Sequence, residues 1–279
     1  MKKSICALLC ISMLLCLCSC GGSKAKDGSS AAATSAESDI KSSDYSPSDV
    51  TSDKANEQGE YSVTRYYICA PGGAKKSTAD VDYSVDGVIT VNFFDKNNYK
   101  TGSTVYDYDE NGLVTRIANY DKAGKEKSYT LFDYNNLQKI DTEYYYEGDA
   151  LRSTSRYTYN ESGVLIEKTV EKVGDSAVYT WTYQSNEGKI YAVSITNDKN
   201  SNTEGYNFAE NSDGRLYQKQ HLVNGFIDDC YMYDYDENGL RNYRGYFNKS
   251  NELVEYYSFT YAKVNATAAA AFLGSGVLD

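Results

Sequence analysis

The residue types that most often carry catalysis are scarce in this sequence of 279 residues, which contains a single histidine, His221. One histidine excludes metal sites built from several histidines. It also disfavours Ser-His-Asp and Cys-His catalysis, in which an imidazole is held beside a nucleophile. His221 lies between Gln220 and Leu222 with no cysteine nearby in the sequence. We therefore expect it to lie on the surface or to line a pocket.

Carboxylates are abundant but do not form a recognisable catalytic pair. The chain has 39 Asp and Glu residues against 28 Lys and Arg residues, which gives a formal net charge of −11. Two carboxylates can support glycoside hydrolysis, but the acidic residues are spread over the whole chain, so the sequence does not identify a catalytic pair among them. We therefore predict no catalytic residues, no enzymatic activity and no cofactor, with an unrecognised glycoside hydrolase as an alternative. The acidity also argues against nucleic-acid binding, which needs clustered Lys and Arg.

Two acidic segments match the front half of a calcium-binding loop, Asp107-x-Asp109-x-Asn111-Gly112 and Asp234-x-Asp236-x-Asn238-Gly239. Such a loop also needs a bidentate glutamate at its twelfth position. That position is Ala118 in one segment and Gly245 in the other. A strand end followed by a hairpin turn explains the same residues, so the sequence predicts turns here and no metal site.

The first twenty residues have the pattern of an export signal. Lys2 and Lys3 precede an apolar run from Ile5 to Leu17, which is shorter than the roughly 20 residues needed to cross a bilayer and is typical of a secretory signal. The following residues, Leu17-Cys18-Ser19-Cys20, resemble the lipobox of bacterial lipoproteins. The resemblance implies a signal peptide over residues 1–19, lipid attachment at Cys20, and a location on the bacterial cell membrane facing outside the cytoplasm. An ordinary signal peptide or an uncleaved anchor are the alternatives.

Residues 20–60 are predicted to form a disordered tether after the lipidated cysteine. This segment consists mainly of Ser, Ala, Asp, Lys and Gly, and such a composition cannot bury enough apolar surface to offset the entropy of ordering. A flexible coil of ~40 residues spans roughly 35 Å. The membrane, reached through the N-terminal lipid, is therefore the first expected partner.

Beyond the N-terminal region the chain contains two more cysteines, Cys69 and Cys230. An exported protein can hold such a pair as a disulfide. The sequence does not show that their Cα atoms lie within the ~7 Å that a disulfide requires. A Cys69–Cys230 disulfide and two separate buried thiols are both left open.

Pairs of aromatic or apolar residues two positions apart recur about every 25 residues between Val81 and Tyr261. The pairs are Val81/Tyr83, Tyr106/Tyr108, Phe132/Tyr134, Tyr157/Tyr159, Trp181/Tyr183, Tyr206/Phe208, Tyr233/Tyr235 and Phe259/Tyr261. Most are followed by a glycine-containing turn, such as Asp86-Gly87, and then by another apolar residue. Because the apolar period is 2 rather than 3.6, the repeats are strands, and because their connections are short, neighbouring strands are antiparallel.

The sequence therefore predicts an all-β fold over residues 61–264, an antiparallel meander of about eight two-stranded hairpin repeats. Alternate residues of a strand point to opposite faces, so the recurrent rings form an aromatic ladder on one face and leave the other polar. About sixteen strands exceed the ~10 that an open twisted sheet usually holds. We expect a curled sheet, as a partial shell or a collapsed barrel, followed by an Ala-rich tail or short helix over residues 265–279.

Two of the repeats carry a more specific motif, Tyr106-Asp-Tyr-Asp-Glu-Asn-Gly-Leu113 and Tyr233-Asp-Tyr-Asp-Glu-Asn-Gly-Leu240. Both resemble the YD repeats of Rhs and toxin-complex proteins, and Tyr157-Thr-Tyr-Asn-Glu-Ser-Gly-Val164 is a looser copy. The resemblance covers roughly residues 81–264. In that family, long arrays of β-hairpins wind into a hollow shell that encloses a toxic cargo domain, so the resemblance implies a shell-like geometry.

Together these features predict a membrane-anchored, extracytoplasmic lipoprotein whose repeats form a non-catalytic interaction or binding scaffold. The expected partner is an unknown protein or a cell-envelope glycan. A carbohydrate-binding or cell-wall-binding module is the alternative, because exposed aromatic rings can stack on sugars. Solvent exposure of the ladder rings distinguishes the two, since rings buried inside the curled sheet cannot reach a glycan.

Overall fold

The computed structural model describes residues 61–264, and within this range the chain forms sixteen β-strands and no helix. The strands are β1 (Ser62–Cys69), β2 (Lys75–Val85), β3 (Val88–Asp95), β4 (Lys100–Tyr108), β5 (Val114–Asp121), β6 (Glu126–Tyr134), β7 (Ile140–Glu147), β8 (Ala150–Tyr159), β9 (Leu165–Lys172), β10 (Val178–Asn186), β11 (Lys189–Asn197), β12 (Asn200–Glu210), β13 (Leu216–Val223), β14 (Phe226–Tyr235), β15 (Arg241–Asn248) and β16 (Leu253–Ala262). The described residues contain no helix long and apolar enough to cross a membrane.

Each strand pairs with its neighbours in the chain, and β1 pairs with β16, so the sheet closes into a barrel. The closing pair is antiparallel, with Val63 opposite Tyr261 and Tyr66 opposite Phe259. The predicted antiparallel meander is confirmed, whereas the partial shell is wrong. Closure satisfies the backbone groups that two edge strands would leave unpaired. The predicted signal peptide, lipidated Cys20, tether and C-terminal tail lie outside the described residues.

One five-residue turn connects strands at both ends of the barrel. An Asp or Asn at its first position accepts hydrogen bonds through Oδ1 from the backbone amides two and four residues later, at 2.8–3.1 Å. The residues at this position are Asp95, Asp109, Asp121, Asn135, Asn160, Asn211, Asp236 and Asn248. The predicted turns are thereby confirmed, and Asp109 and Asp236 of the two calcium-like segments serve as turn residues.

The fourth residue of this turn has a positive φ, which explains its glycines. Gly112 and Gly239 occupy it in the two YD-like motifs, with φ of 77° and 83°. The third repeat has no glycine there, and Gln138 adopts the same conformation with φ of 56°. The side-chain hydrogen bonds of Asn135 hold this turn in shape without glycine.

The aromatic ladder lies on the inner face of the barrel. Ile89, Val91 and Phe259 share this face, are at most 2% exposed and belong to one hydrophobic cluster with Tyr106, as expected where side chains converge inside a closed barrel. Of the fifteen aromatic ladder residues, Tyr106, Tyr233 and Phe259 are buried, the other twelve are partly buried, and none is exposed.

Hydroxyl groups explain why the second position of the ladder is usually tyrosine. Five of these tyrosines donate a hydrogen bond to a backbone carbonyl at or beside the start of the preceding strand, at 2.8–3.4 Å. They are Tyr83, Tyr134, Tyr159, Tyr235 and Tyr261. The ring fills the inner face while its hydroxyl caps a strand end, a combination that phenylalanine cannot supply.

Cys69 and Cys230 are both buried, and no disulfide joins them. Cys69 belongs to β1 and Cys230 to β14, and β15 and β16 lie between these strands in the sheet. Three strand spacings amount to about 14 Å, twice the Cα separation that a disulfide bridges. The disulfide is thus excluded by the sheet order, and the cysteines are two separate buried thiols.

Candidate interaction surface

The inner face brings the predicted ladder residues together, and it also holds charges that the ladder did not predict. Glu143 of β7 and Lys168 of β9 form an ion pair of 3.0 Å, and each side chain is only 21% exposed. The Lys168 ammonium lies 4.8 Å from the ring centre of Tyr157 and 6.0 Å from that of Trp181. Burial, and then the charge of Glu143, raises the pKa of Tyr157. This cluster is therefore part of the packed inner face of the barrel.

His221, expected from the sequence to lie on the surface or to line a pocket, lies on the inner face, where it pairs with Tyr206 and Asp229. Its ring stacks on Tyr206 with centroids 5.1 Å apart, and its Nδ1 atom is 3.1 Å from Asp229 Oδ2. Its side chain is 20% exposed.

A cavity of about 700 Å³ opens where β10–β11 and β12–β13 turn. Ile190, Phe208 and Leu216 supply apolar surface, and an ion pair between Lys189 and Glu210, 2.7 Å apart, stands at its edge.

The outer face of the barrel is polar over much of its area, as the alternation predicted. Across β8 and β9, Arg156 lies opposite Thr169 and Thr158 lies opposite Glu167. Across β10 and β11, Thr182 lies opposite Ser194. Such a surface needs no covering partner.

Aromatic rings interrupt this polar composition in places, and one such place we call the tyrosine patch. It consists of two rows of side chains that lie directly opposite one another across β5, β6 and β7. The patch consists of Arg116, Leu131 and Tyr144 in one row and Ala118, Tyr129 and Tyr146 in the other. Ala118 is buried, and the five larger side chains are partly exposed, so the rows present aromatic rings and a guanidinium group to solvent.

Tyr129 is the centre of the patch. Its ring stacks on that of Tyr146, with centroids 4.7 Å apart and planes inclined by 11°. The guanidinium carbon of Arg116 lies 5.0 Å from the Tyr129 centroid. Since Arg116 approaches from β5 and Tyr146 from β7, they cover opposite faces of the ring. Tyr129 therefore offers its edge and hydroxyl group outward.

Arg116 is fixed in place by carboxylates. Its guanidinium group donates a hydrogen bond to Glu126 and lies 3.7 Å from Asp107. The hydrogen bond from Arg116 holds the pKa of Glu126 below its ordinary value. These contacts restrain the Arg116 side chain, so a partner that binds it loses little of that side chain's entropy.

Tyrosine and arginine are enriched at the energetic centres of protein interfaces, because a preorganised ring buries a large area while its polar end keeps a hydrogen-bond partner. Sequence reasoning assigned rings to the inner face only and missed the patch. The signal was the run Tyr144-Tyr145-Tyr146, since three consecutive rings in a strand must occupy both faces.

No protein-family model and no curated protein matches the chain. Among solved structures, a porin-like protein from Bacteroides uniformis is 11% identical, with a TM-score of 0.39, over 71% of this chain and 96% of its own. The Tc holotoxin pore of Photorhabdus luminescens is 13% identical, with a TM-score of 0.29, over 66% of this chain. The TcdB2-TccC3 structure without its hypervariable C-terminal region is 12% identical, with a TM-score of 0.28, over 67%.

The chain spans 13% and 15% of the lengths of the two toxin structures. The similarity to toxin-complex proteins, which the YD-like motifs indicated, is therefore weak and limited to the β-rich repeat fold.

Proposed function

We propose that the chain is a lipid-anchored, extracytoplasmic binding scaffold without enzymatic activity, and that its tyrosine patch contacts a protein partner. The observation that carries the proposal is the patch itself, a group of stacked rings and one guanidinium on the outer face. Its composition is that of a protein-interface centre.

Ring accessibility favours a protein partner over a glycan. A ring stacks on a sugar through an open face, and none of the fifteen aromatic ladder residues is exposed. On the outer face, Arg116 and Tyr146 cover both faces of Tyr129. Around Tyr129 the patch therefore offers a ring edge, a hydroxyl group and a guanidinium group, which fit the mixed polar and apolar surface of a protein.

The location in the proposal comes from the N-terminal sequence. The segment Leu17-Cys18-Ser19-Cys20 resembles a lipobox, and residues 21–60 have the composition of a flexible tether. A chain anchored through two acyl groups stays at the membrane, and the tether leaves the scaffold free to reach a partner in the cell envelope.

Site-specific crosslinking in cells tests the proposal. A photoreactive amino acid replaces Tyr144 in the full-length chain, and the adducts are identified by mass spectrometry. We expect one discrete protein adduct. The additional double substitution Y129S/Y146S should weaken capture at least tenfold, since interface-centre residues each contribute about 2 kcal/mol or more.

The matched control is Y99S, which removes a tyrosine that is 71% exposed in a turn outside the patch. It should leave the adduct unchanged. In parallel, the full-length chain is incubated with purified peptidoglycan and capsular glycans. Specific retention on a glycan, or an adduct that Y129S/Y146S does not weaken, overturns the proposal.

A further inference from the structure

The only histidine of the chain comes together with two aspartates on the inner face, on strands other than those of the tyrosine patch. One nitrogen of His221 and one carboxylate oxygen from each of Asp228 and Asp229 lie within 4.8 Å of one another. The closest of these contacts, between His221 Nδ1 and Asp229 Oδ2, is 3.1 Å.

A bulge in β14 brings the second aspartate to this group. Asp229 lies directly opposite His221, and the next pair is Ile227 opposite Leu222, so Asp228 has no partner in β13. An extra residue in one strand disturbs the strict alternation of side chains. Asp228 can therefore share the inner face with Asp229 although the two are adjacent in sequence.

The imidazole is held in a defined orientation. Its ring stacks on Tyr206, with centroids 5.1 Å apart and planes inclined by 26°. The His221 Nε2 atom is buried and has no hydrogen-bond partner, and the nearest carboxylate oxygen to it, from Glu204, is 3.9 Å away. The ring therefore cannot satisfy both nitrogens by hydrogen bonding within the barrel wall.

The surroundings of the His221 imidazole carry several negative charges. Asp228, Asp229 and Glu204 approach the same imidazole. Burial raises the pKa of Tyr246, and the negative charges of Asp229 and Asp228 raise it further. Lys219 is the nearby cation, and it lies 5.3 Å from the Tyr206 ring centre. Carboxylates crowded in this way attract a cation of higher charge.

We propose that His221, Asp228 and Asp229 bind one divalent transition-metal ion, for which Zn²⁺ is the best fit, with solvent completing the coordination. Zn²⁺ takes imidazole nitrogen at about 2.0–2.1 Å and carboxylate oxygen at about 2.0–2.2 Å. Two such ligand atoms can lie 3.1 Å apart when both bind one ion. Because Asp228 is exposed whereas His221 and Asp229 are partly buried, the ion enters from the side of Asp228.

The donor set distinguishes zinc from calcium and magnesium. Ca²⁺ and Mg²⁺ prefer all-oxygen ligands, whereas imidazole together with carboxylate suits Zn²⁺ and similar ions. The ion would join β13 to β14 at the bulge. The inference does not depend on the function proposed for the tyrosine patch, because it concerns other residues on the opposite face of the sheet.

The experiment follows the imidazole resonances of the full-length, ¹⁵N-labelled chain by nuclear magnetic resonance during addition of zinc chloride. His221 is the only histidine, so one set of imidazole signals reports on this site, and zinc bound by cysteine thiols does not contribute. We expect the signals to shift and saturate with zinc, and to respond far more weakly to calcium and magnesium chloride.

Two variants complete the test. In D228N/D229N the zinc concentration at half-saturation should rise by roughly 100-fold or more, since even groups that only support ligands contribute 10–100-fold to metal affinity. The matched control D149N removes one exposed acid from the turn between β7 and β8 and should bind zinc as the wild type does.

The wild-type titration decides the matter even if D228N/D229N fails to fold. Imidazole signals that stay unchanged at saturating zinc overturn the proposal and leave His221–Asp229 as a hydrogen bond only. An equal response to calcium, or undiminished zinc affinity in folded D228N/D229N, also overturns it.

Discussion

The ion pair between Glu143 and Lys168 provides a quantitative test of the inner face. The substitution K168M keeps an unbranched side chain of similar length and removes its charge, so it leaves the Glu143 carboxylate without its partner at 3.0 Å. Removing one member of a buried pair costs about 3–5 kcal/mol. Because each side chain is 21% exposed, solvent compensates part of the loss, and we expect the free energy of unfolding to fall by about 2–4 kcal/mol.

Trp181 is a built-in reporter for this measurement. It is the only tryptophan of the chain, it lies opposite Lys168 in the sheet, and its emission follows the unfolding of the same region in urea. The double variant E143M/K168M should recover most of the lost stability, because apolar residues of similar volume often replace a buried pair without cost.

A surface pair serves as the control. Arg156 and Glu171 are 2.8 Å apart, but their side chains are 56% and 58% exposed. The substitution R156M should therefore lower the free energy of unfolding by at most about 1 kcal/mol. If K168M and R156M have equal effects, or if E143M/K168M is less stable than K168M, the assignment of Glu143 and Lys168 to a buried inner face is refuted.

Three further predictions concern the strands and turns. In G205A the new Cβ would lie 2.5 Å from the Val193 carbonyl oxygen, so we expect a loss of about 1–3 kcal/mol in thermal unfolding, whereas G72A, with no atom within 4 Å, should not change it. The hydrogen bond from the backbone amide of Leu113 lowers the pKa of Asp109 in the folded state. The Asp109 carboxylate therefore stabilises the fold at any pH above the ordinary carboxyl pKa. This stabilisation is lost as the pH falls through the lower pKa that Asp109 has in the folded state. Melting temperatures across acidic pH should show this loss in the wild type but not in D109N, which keeps the turn as asparagine does elsewhere, and D109A should be destabilised at every pH. Burial raises the pKa of Tyr134 to about 12, so its neutral form stabilises the fold below the ordinary tyrosine pKa and the effect is lost as the pH rises through about 12. In Y134F the loss of stability at alkaline pH should be smaller than in the wild type, with tyrosine ionisation followed by tyrosinate absorbance. A loss of stability equal to that of the wild type contradicts the raised pKa of Tyr134.

Turns and strands could be predicted because their causes are local. The turn at Asp109 depends on amides two and four residues away and on one glycine with positive φ. The alternation of rings along β10 and β14 likewise follows from the geometry of a single strand. Residues within five positions of one another decide these features, so a repeat written in the sequence appears as a repeat in the structure.

The tyrosine patch and the His221 group could not be predicted in the same way. Tyr129 and Tyr146 meet because β6 and β7 pair in one register, and a shift of one residue would place both on the other face. Asp228 joins His221 because of a bulge in β14. The strands were predicted from the spacing of the aromatic rings along the sequence. Neither the register of β6 and β7 nor the bulge in β14 changes that spacing in a recognisable way.

The amino-acid sequence by itself determined that this chain forms antiparallel β-hairpins with one aromatic face, because turn chemistry and alternation act between near neighbours. Only the tertiary structure decided that the sheet closes, that Cys69 and Cys230 stay apart, and where rings and charges meet. Closure joins β1 to β16, at opposite ends of the repeat array. The accumulated twist and register of all the intervening strands bring these two together, and no single repeat contains that information.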